Sequence, residues 1–152
     1  MARKKATWQE KLLDSKGHPS IMPVSEKMSQ RWGSGTMVIP APIEVDEIMG
    51  TVRKGQLITI DEIRKLLAAK HGVDFACPIT TGIFAWIAAH AADEAEQEGK
   101  KRITPYWRTL KTGGELNKKY PGGIKNLKAR LEAEGHSIVQ KRKRFFASDY
   151  LG

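Results

Sequence analysis

The sequence predicts a mainly α-helical fold with a small β element, preceded by an extended amino-terminal arm. Between residues 42 and 98, three segments carry apolar residues at helical spacing, each with start or stop signals at its ends. The last segment, "HSIVQKRKRFFASDY", is instead rich in Ile, Val and Phe, which indicates one or two strands. The chain of 152 residues, 40% apolar with four Trp, is long and apolar enough for one packed core.

Residues 1–41 are predicted to form an extended, partly docked arm, and residues 42–152 a single domain. Gly and Pro interrupt the arm throughout, and only "TWQEKLLD" suggests a short helical turn. Trp8 and Trp32 are large aromatic residues, which we expect to pack on the domain or on a partner.

The first helix is predicted in "PIEVDEIMGTV", where Pro42 suits the first turn. Its expected apolar face contains Ile43, Val45, Ile48 and Val52. A short extended piece in "RKGQLITI" follows.

The second helix is predicted in "IDEIRKLLAAKHG". Thr59 is its expected N-cap, Glu62 completes a capping box, and Gly72 is the expected C-cap. Its expected buried residues are Ile60, Ile63, Leu66 and Leu67.

The third helix is predicted to start after Pro78, with Thr80 or Thr81 as its cap and an acidic, solvated distal end. Its expected stripe contains Ile83, Phe84, Ile87, Ala88 and Ala91. An extended "RITPYWRTL", a glycine-rich loop and a short helix closed by Gly135 come next. Three helices followed by a small β element are typical of the winged-helix fold, a helix-turn-helix variant.

Positive charge is concentrated in one part of the chain. Residues 100–144 hold fourteen Lys and Arg against three acids, whereas the remainder holds twelve bases and fourteen acids. Such a distribution favours a polyanion partner, with nucleic acid first, over a solvated basic face that only aids solubility. The candidate nucleic-acid contacts are Thr59, Thr80, Thr81, Lys118, Lys119, Lys141, Arg142, Lys143 and Arg144.

Several classes of protein are excluded by composition. No apolar run approaches the length of a membrane span, and the amino terminus lacks the apolar segment of a secretory signal, so a cytoplasmic protein is predicted. The single cysteine, Cys77, excludes a disulfide framework. The four His show no ligand spacing, so we expect neither a metal nor another cofactor.

Three ordered segments of residues 43–136 resemble the DNA-binding, active-site domain of the alkylguanine-DNA alkyltransferases. "VRKGQLITIDEI" (52–63) is similar to V-P-x-G-x-V-x-S-Y-x-x-I/L, and "TPYWR" (104–108) is similar to I-P-C-H-R. "YPGGIKNLKARLEAEGH" (120–136) is similar to Y-x-G-G-L-x-x-K-x-x-L-L-x-x-E-G. The resemblance implies a winged-helix domain of alkyltransferase type.

In that family a thiolate, formed through a His and a Glu, takes the alkyl group from a damaged guanine that has been flipped out of the duplex. Here Tyr106 stands at the Cys position and Trp107 at the His position, and only Glu134 of the three persists. A phenol with a pKa of about 10 and no general base is not a competent nucleophile. We therefore expect no catalytic residue; Cys77 as a substitute thiol is the alternative, against its more usual place in a core.

Alkyltransferase-like members of the family replace the acceptor Cys and still bind damaged DNA. The resemblance thus implies a non-catalytic protein of DNA repair that binds DNA, with alkylated or extruded bases as candidate ligands. Either the two aromatic residues offer a stacking face to such a base, or they fill a redundant pocket as core. The residues assigned to this pocket are Tyr106, Trp107, Arg108, Gly122, Gly123 and Glu134.

Two departures argue against base flipping of the family kind. The family's Tyr that helps to rotate the target phosphate falls on Ile60, and the Arg that replaces the flipped base falls on Thr81 or Gly82. The alternative function is a protein-interaction module on a winged-helix scaffold, in which the arm with Trp8 and Trp32 contacts a partner.

Overall fold

A computed structural model describes residues 6–148 of the chain. The helices are α1 (Trp8–Leu13), α2 (Glu26–Trp32), α3 (Pro42–Gly50), α4 (Ile60–His71), α5 (Pro78–Gln97) and α6 (Gly123–Ala133). The strands are β1 (Ser20–Pro23), β2 (Thr36–Ile39), β3 (Ile58–Thr59), β4 (Phe75–Ala76), β5 (Thr109–Leu110), β6 (Ile138–Lys141) and β7 (Arg144–Ala147). Single 3₁₀ turns lie at Tyr106–Arg108 and Thr112–Gly114. The predicted mainly α fold with small β elements is confirmed.

The strands form three small sheets. β2 is central in a three-stranded sheet, antiparallel to β1 and parallel to β4, and β3 pairs in parallel with β5. β6 and β7 form an antiparallel hairpin in which Lys141 lies opposite Arg144, so that Arg142 and Lys143 make its turn. The last predicted β segment is therefore a hairpin, and the run of four basic residues lies at its tip.

Helix α4 begins and ends where the sequence predicts. The Thr59 hydroxyl accepts a hydrogen bond from the Glu62 backbone at 3.4 Å, the Glu62 side chain accepts one from the Thr59 backbone at 3.2 Å, and Gly72 closes the helix with φ +63°. Ile63 and Leu67 are fully buried, but Leu66 is 50% exposed, so its predicted burial is wrong. Leu66 lies about 100° around the helix from Leu67, at the edge of the stripe that Ile63 and Leu67 share, and this edge stays exposed.

Helix α5 is capped differently from the prediction. Its N-cap is Cys77, which makes no side-chain cap hydrogen bond, and Pro78 occupies the first turn. Thr81 lies inside the helix, where its hydroxyl donates to the Cys77 carbonyl at 2.6 Å. Phe84 packs in the core as predicted, whereas Ile83 is 46% exposed. The helix continues through its acidic end because its small Ala residues pack on α1 and α3.

The stretch before α3 is more regular than the extended arm that the sequence predicts. Strand β2 buries Met37 and Val38 between β1 and β4. Helix α1 packs on α5, where the Trp8 ring stacks on His90 at a centroid distance of 4.5 Å and meets Trp86 edge-on at 4.8 Å. Helix α1 and strands β1 and β2 are thus part of the packed structure, and the side chain of Trp32 lies outside the described part.

Within residues 6–148, none of the helices combines the length and the apolar character that crossing a bilayer requires.

Candidate nucleic-acid interface

Tyr106 occupies the position of the family's acceptor Cys, and its side chain is fully buried. It begins the first 3₁₀ turn, where its ring meets Trp107 edge-on at 5.2 Å and Tyr120 edge-on at 6.4 Å. Its hydroxyl accepts a hydrogen bond from Asn126 Nδ2 at 3.0 Å. Burial raises the pKa of Tyr106 above its ordinary value. The ring is a neutral core residue with no exposed face for stacking.

Trp107 and Arg108 both bind Glu134, the carboxylate that the motif retains. Trp107 Nε1 donates to Glu134 Oε2 at 3.0 Å, and Arg108 donates from Nε to Oε1 at 2.9 Å and from Nη2 to Oε2 at 2.6 Å. Burial alone would raise the pKa of Glu134, but the hydrogen bonds from Arg108 and Trp107 together lower it. An indole N–H only donates, so Trp107 cannot take a proton as a His would.

Gly122, the residue before α6, lies against Asn126, the side chain that donates to the Tyr106 hydroxyl. Gly122 has φ +76°, and a Cβ built on it would collide with the side chain of Asn126. Asn126 in turn donates to the Pro121 carbonyl at 2.9 Å and accepts from Arg130 Nε at 3.1 Å. Gly122 therefore allows the close approach of the side chain that holds the Tyr106 hydroxyl, whereas a Cβ on Gly123 would meet only the Lys118 carbonyl oxygen at 3.9 Å.

The threonine residues named as nucleic-acid contacts lie inward. Thr59 and Thr81 are buried, and Thr80 is half-buried with its hydroxyl oxygen shielded from solvent. Cys77, the alternative thiol, is also buried. Burial keeps Thr59, Thr81 and Cys77 from contact with a nucleic acid in this conformation. Within the part of the chain that the structure describes, His, Cys, Asp and Glu residues form no group of three or more that could hold a metal ion.

Replacing Thr59 by Ala is expected to destabilise the protein by about 1 kcal/mol, because it removes the N-cap of α4. Urea denaturation measures this loss. Duplex affinity should stay unchanged, since Thr59 is buried. A loss of affinity without a loss of stability would instead place Thr59 in the interface.

Three adjoining grooves cover one side of the molecule. The largest, here called the apolar groove, runs along α5 with a volume of about 720 Å³; its lining is Ile79, Gly82, Ile83, Trp86, His90, Asn117 and Lys119. It shares Gly82 and Asn117 with a central groove, which shares Lys111, Glu115 and Arg144 with a third groove beside the hairpin. The three grooves therefore adjoin one another between α5 and the hairpin.

The loop of residues 111–119 connects helix α5 to the β6–β7 hairpin. Trp86 Nε1 donates to the Lys119 carbonyl at 3.2 Å, which ties the loop to α5. The Leu116 backbone donates to the Phe145 carbonyl at 2.8 Å, which ties it to the hairpin. Cations on the loop and on the hairpin therefore keep fixed relative positions.

Five cations and one acid line the three grooves. The acid is Glu115, which Arg144 contacts at 2.8 Å and Lys111 at 3.7 Å. The hydrogen bond from Arg144 is the main cause that lowers the pKa of Glu115. We call the five cations the basic face: Lys111, Lys118, Lys119, Lys143 and Arg144.

Four of the predicted basic residues belong to this face, and the other two, Lys141 and Arg142, are exposed at the hairpin tip. Sequence reasoning missed the grooves and the exposed Ile79 and Ile83 on α5. Residue type alone carried no signal for them, because an apolar helical stripe does not reveal which of its members a neighbouring element covers.

No family model matches the sequence, and no curated protein matches it. One solved structure matches in fold: the alkyltransferase-like protein Atl1 of S. pombe, in complex with damaged DNA containing O6-carboxymethylguanine. The superposition has a TM-score of 0.50 at 20% sequence identity, and covers 73% of this chain and 93% of that chain. The resemblance found in the three motifs is thus confirmed at the level of the fold, which this chain shares with an alkyltransferase-like protein.

Proposed function

We propose that this protein binds double-stranded DNA through the basic face and transfers no alkyl group. The observation that carries the proposal is the set of three adjoining grooves lined by five cations and a single, already paired acid. Lys and Arg neutralise phosphates and release condensed counterions, which supplies most of the affinity of such surfaces. The fold shared with a DNA-bound protein supports the same conclusion.

The arrangement of the elements supports a winged-helix mode of binding. Helix α5 follows α4 after a short connection, and the β6–β7 hairpin lies beside it across the 111–119 loop. In this mode α5 faces the duplex, while Lys143 and Arg144 on the hairpin contact phosphates. The exposed tip residues Lys141 and Arg142 extend the same contact.

Damaged DNA is the ligand of the Atl1 complex, and we propose the same class of ligand here. The buried ring of Tyr106 leaves no exposed face at the motif position, so a preference for an alkylated base must arise elsewhere on the surface. Comparing duplexes with and without O6-alkylguanine tests the preference. Equal affinities would remove it and leave DNA binding itself in place.

Removing two cations of the basic face is expected to weaken duplex binding by tenfold or more at low salt. The variant is Lys118→Ala/Lys143→Ala, because both lysines are exposed and line the third groove. The slope of log affinity against log salt should also become shallower, by roughly one for each phosphate that the variant no longer neutralises. Fluorescence anisotropy of a labelled duplex measures both quantities.

A matched control is Lys27→Ala/Lys65→Ala, which removes the same charge from exposed positions on α2 and α4 that line none of the three grooves. It should retain the wild-type affinity within about twofold. Equal losses in the two variants would show that net charge alone governs binding, and would overturn the assignment of the face.

A further inference from the structure

We infer that the apolar groove binds an unstacked nucleobase of single-stranded DNA, an inference that rests on the proposed DNA-binding function. The groove is separate from the position of Tyr106, whose buried ring does not line it. Its volume of about 720 Å³ lies in the range of pockets that hold small organic ligands. Its walls are mainly apolar, with a few polar groups at one side, as in such pockets.

Trp86 supplies an aromatic surface that is already fixed in place. Its indole nitrogen donates to the Lys119 carbonyl at 3.2 Å, and the Trp8 ring meets it edge-on at 4.8 Å. His90 bonds to the same carbonyl at 3.1 Å and lies edge-on to Trp86 at 5.3 Å. A ring that is held by its neighbours loses little freedom when a base stacks on it, and every base has a π-face to offer.

Ile79 and Ile83 lie on the same face of α5 as Trp86 and form the exposed apolar part of the lining, across from Asn117 and Lys119 of the loop. They are 58% and 46% exposed, and they lie one turn apart on α5. Burying two exposed isoleucine side chains under a flat base removes apolar surface from water, which favours the bound state.

The distribution of charge in and around the apolar groove favours a nucleobase as its ligand. From Pro78 to His90 the helix carries no Lys, Arg, Asp or Glu, and the one charged residue of the groove lining is Lys119. At Gly82 and Asn117 the groove adjoins the central groove, where Lys111 and Arg144 lie. An apolar slot that leads onto a row of cations suits a chain of bases on a phosphate backbone.

Asn117 provides a polar edge at the junction of the two grooves. Its Oδ1 accepts a hydrogen bond from the Lys119 backbone at 3.0 Å, which orients the amide. Amides of this kind pair with the hydrogen-bonding edges of bases. The groove thus offers stacking, apolar contact and a polar edge together.

The test compares two labelled oligomers of about ten nucleotides, oligothymidylate and an abasic oligomer with the same phosphates. The full-length protein is expected to bind oligothymidylate roughly 5- to 150-fold more tightly, which is the usual contribution of stacking one base. Ile83→Glu should abolish this preference, because it places a carboxylate in the groove. Leu66→Glu is the matched control, since Leu66 is 50% exposed on α4 and lines none of the grooves.

A base preference that is lost in Ile83→Glu and kept in Leu66→Glu, with equal melting temperatures of the two variants, is the expected result. Equal affinities of the wild type for the two oligomers would overturn the inference. A preference that persists in Ile83→Glu would overturn it as well. Duplex binding without oligothymidylate binding contradicts this inference alone, whereas loss of both contradicts the proposed function.

Discussion

Replacing Glu134 by Ala is expected to destabilise the protein by about 3–5 kcal/mol. The substitution leaves the guanidinium of Arg108, whose side chain is 13% exposed, with one remaining hydrogen-bond acceptor, the Val52 carbonyl at 2.8 Å. It also removes the acceptor of the Trp107 indole. Removing one member of a buried ion pair costs this much because an uncompensated charge stays inside.

Urea denaturation of the purified variant measures the change in the free energy of unfolding. Glu132→Ala is the matched control, since Glu132 is an exposed carboxylate in the last turn of α6, two residues before Glu134, and it should change stability by less than about 0.5 kcal/mol. Similar losses in the two variants would show that the Arg108–Glu134 pair is not a main support of the fold.

The same pair predicts a pH dependence of stability. The folded-state pKa of Glu134 is lowered, so its carboxylate stabilises the protein above the unfolded-state pKa, and this contribution is lost as pH falls through the folded-state pKa. Stability measured from pH 7 down to about pH 3 should therefore fall less steeply in Glu134→Gln than in the wild type. Parallel curves would contradict this assignment.

Replacing Tyr106 by Ala is expected to lower the free energy of unfolding by about 3–5 kcal/mol, as for other large aromatic residues of protein cores. The ring is fully buried between Trp107 and Tyr120, with the Arg130 guanidinium 5.6 Å from its centre. Removing the ring leaves a cavity and deprives Asn126 of one acceptor. Thermal or urea denaturation measures the loss.

The Tyr106→Phe variant separates the contribution of the ring to stability from that of the hydroxyl. It keeps the packing and should cost only about 1 kcal/mol, because Asn126 Nδ2 retains the Pro121 carbonyl as a partner. Its duplex affinity should equal that of the wild type. A stable Tyr106→Ala protein, or a Tyr106→Phe protein that has lost DNA binding, would show that the ring serves a ligand rather than the core.

Local features of the fold could be predicted from the sequence because short-range chemistry fixes them. The capping box of Thr59 and Glu62 places the start of α4, and the β-rich end with its basic turn gives the β6–β7 hairpin. The three ordered motifs were sufficient to indicate the fold that the structural comparison confirms.

Non-local features could not be predicted in the same way. Strand β2 is four residues long, and its pairing with β4 joins Met37 to Phe75, a separation that no local pattern encodes. The motif placed Tyr106 at the acceptor position, but only the packing of Asn126 and Tyr120 around it shows that it is core. For the same reason the helical stripe predicts Ile83 in the core, whereas its side chain is 46% exposed.

The most direct test of DNA binding through the basic face is the salt dependence of duplex affinity for the wild-type protein. With about five to seven phosphate contacts from the basic face and the hairpin tip, the slope of log affinity against log salt should lie at about −4 to −6. Titrations of a labelled duplex between about 50 and 200 mM salt measure this slope. Absence of binding at about 50 mM salt, or an affinity that does not change with salt, would contradict the account.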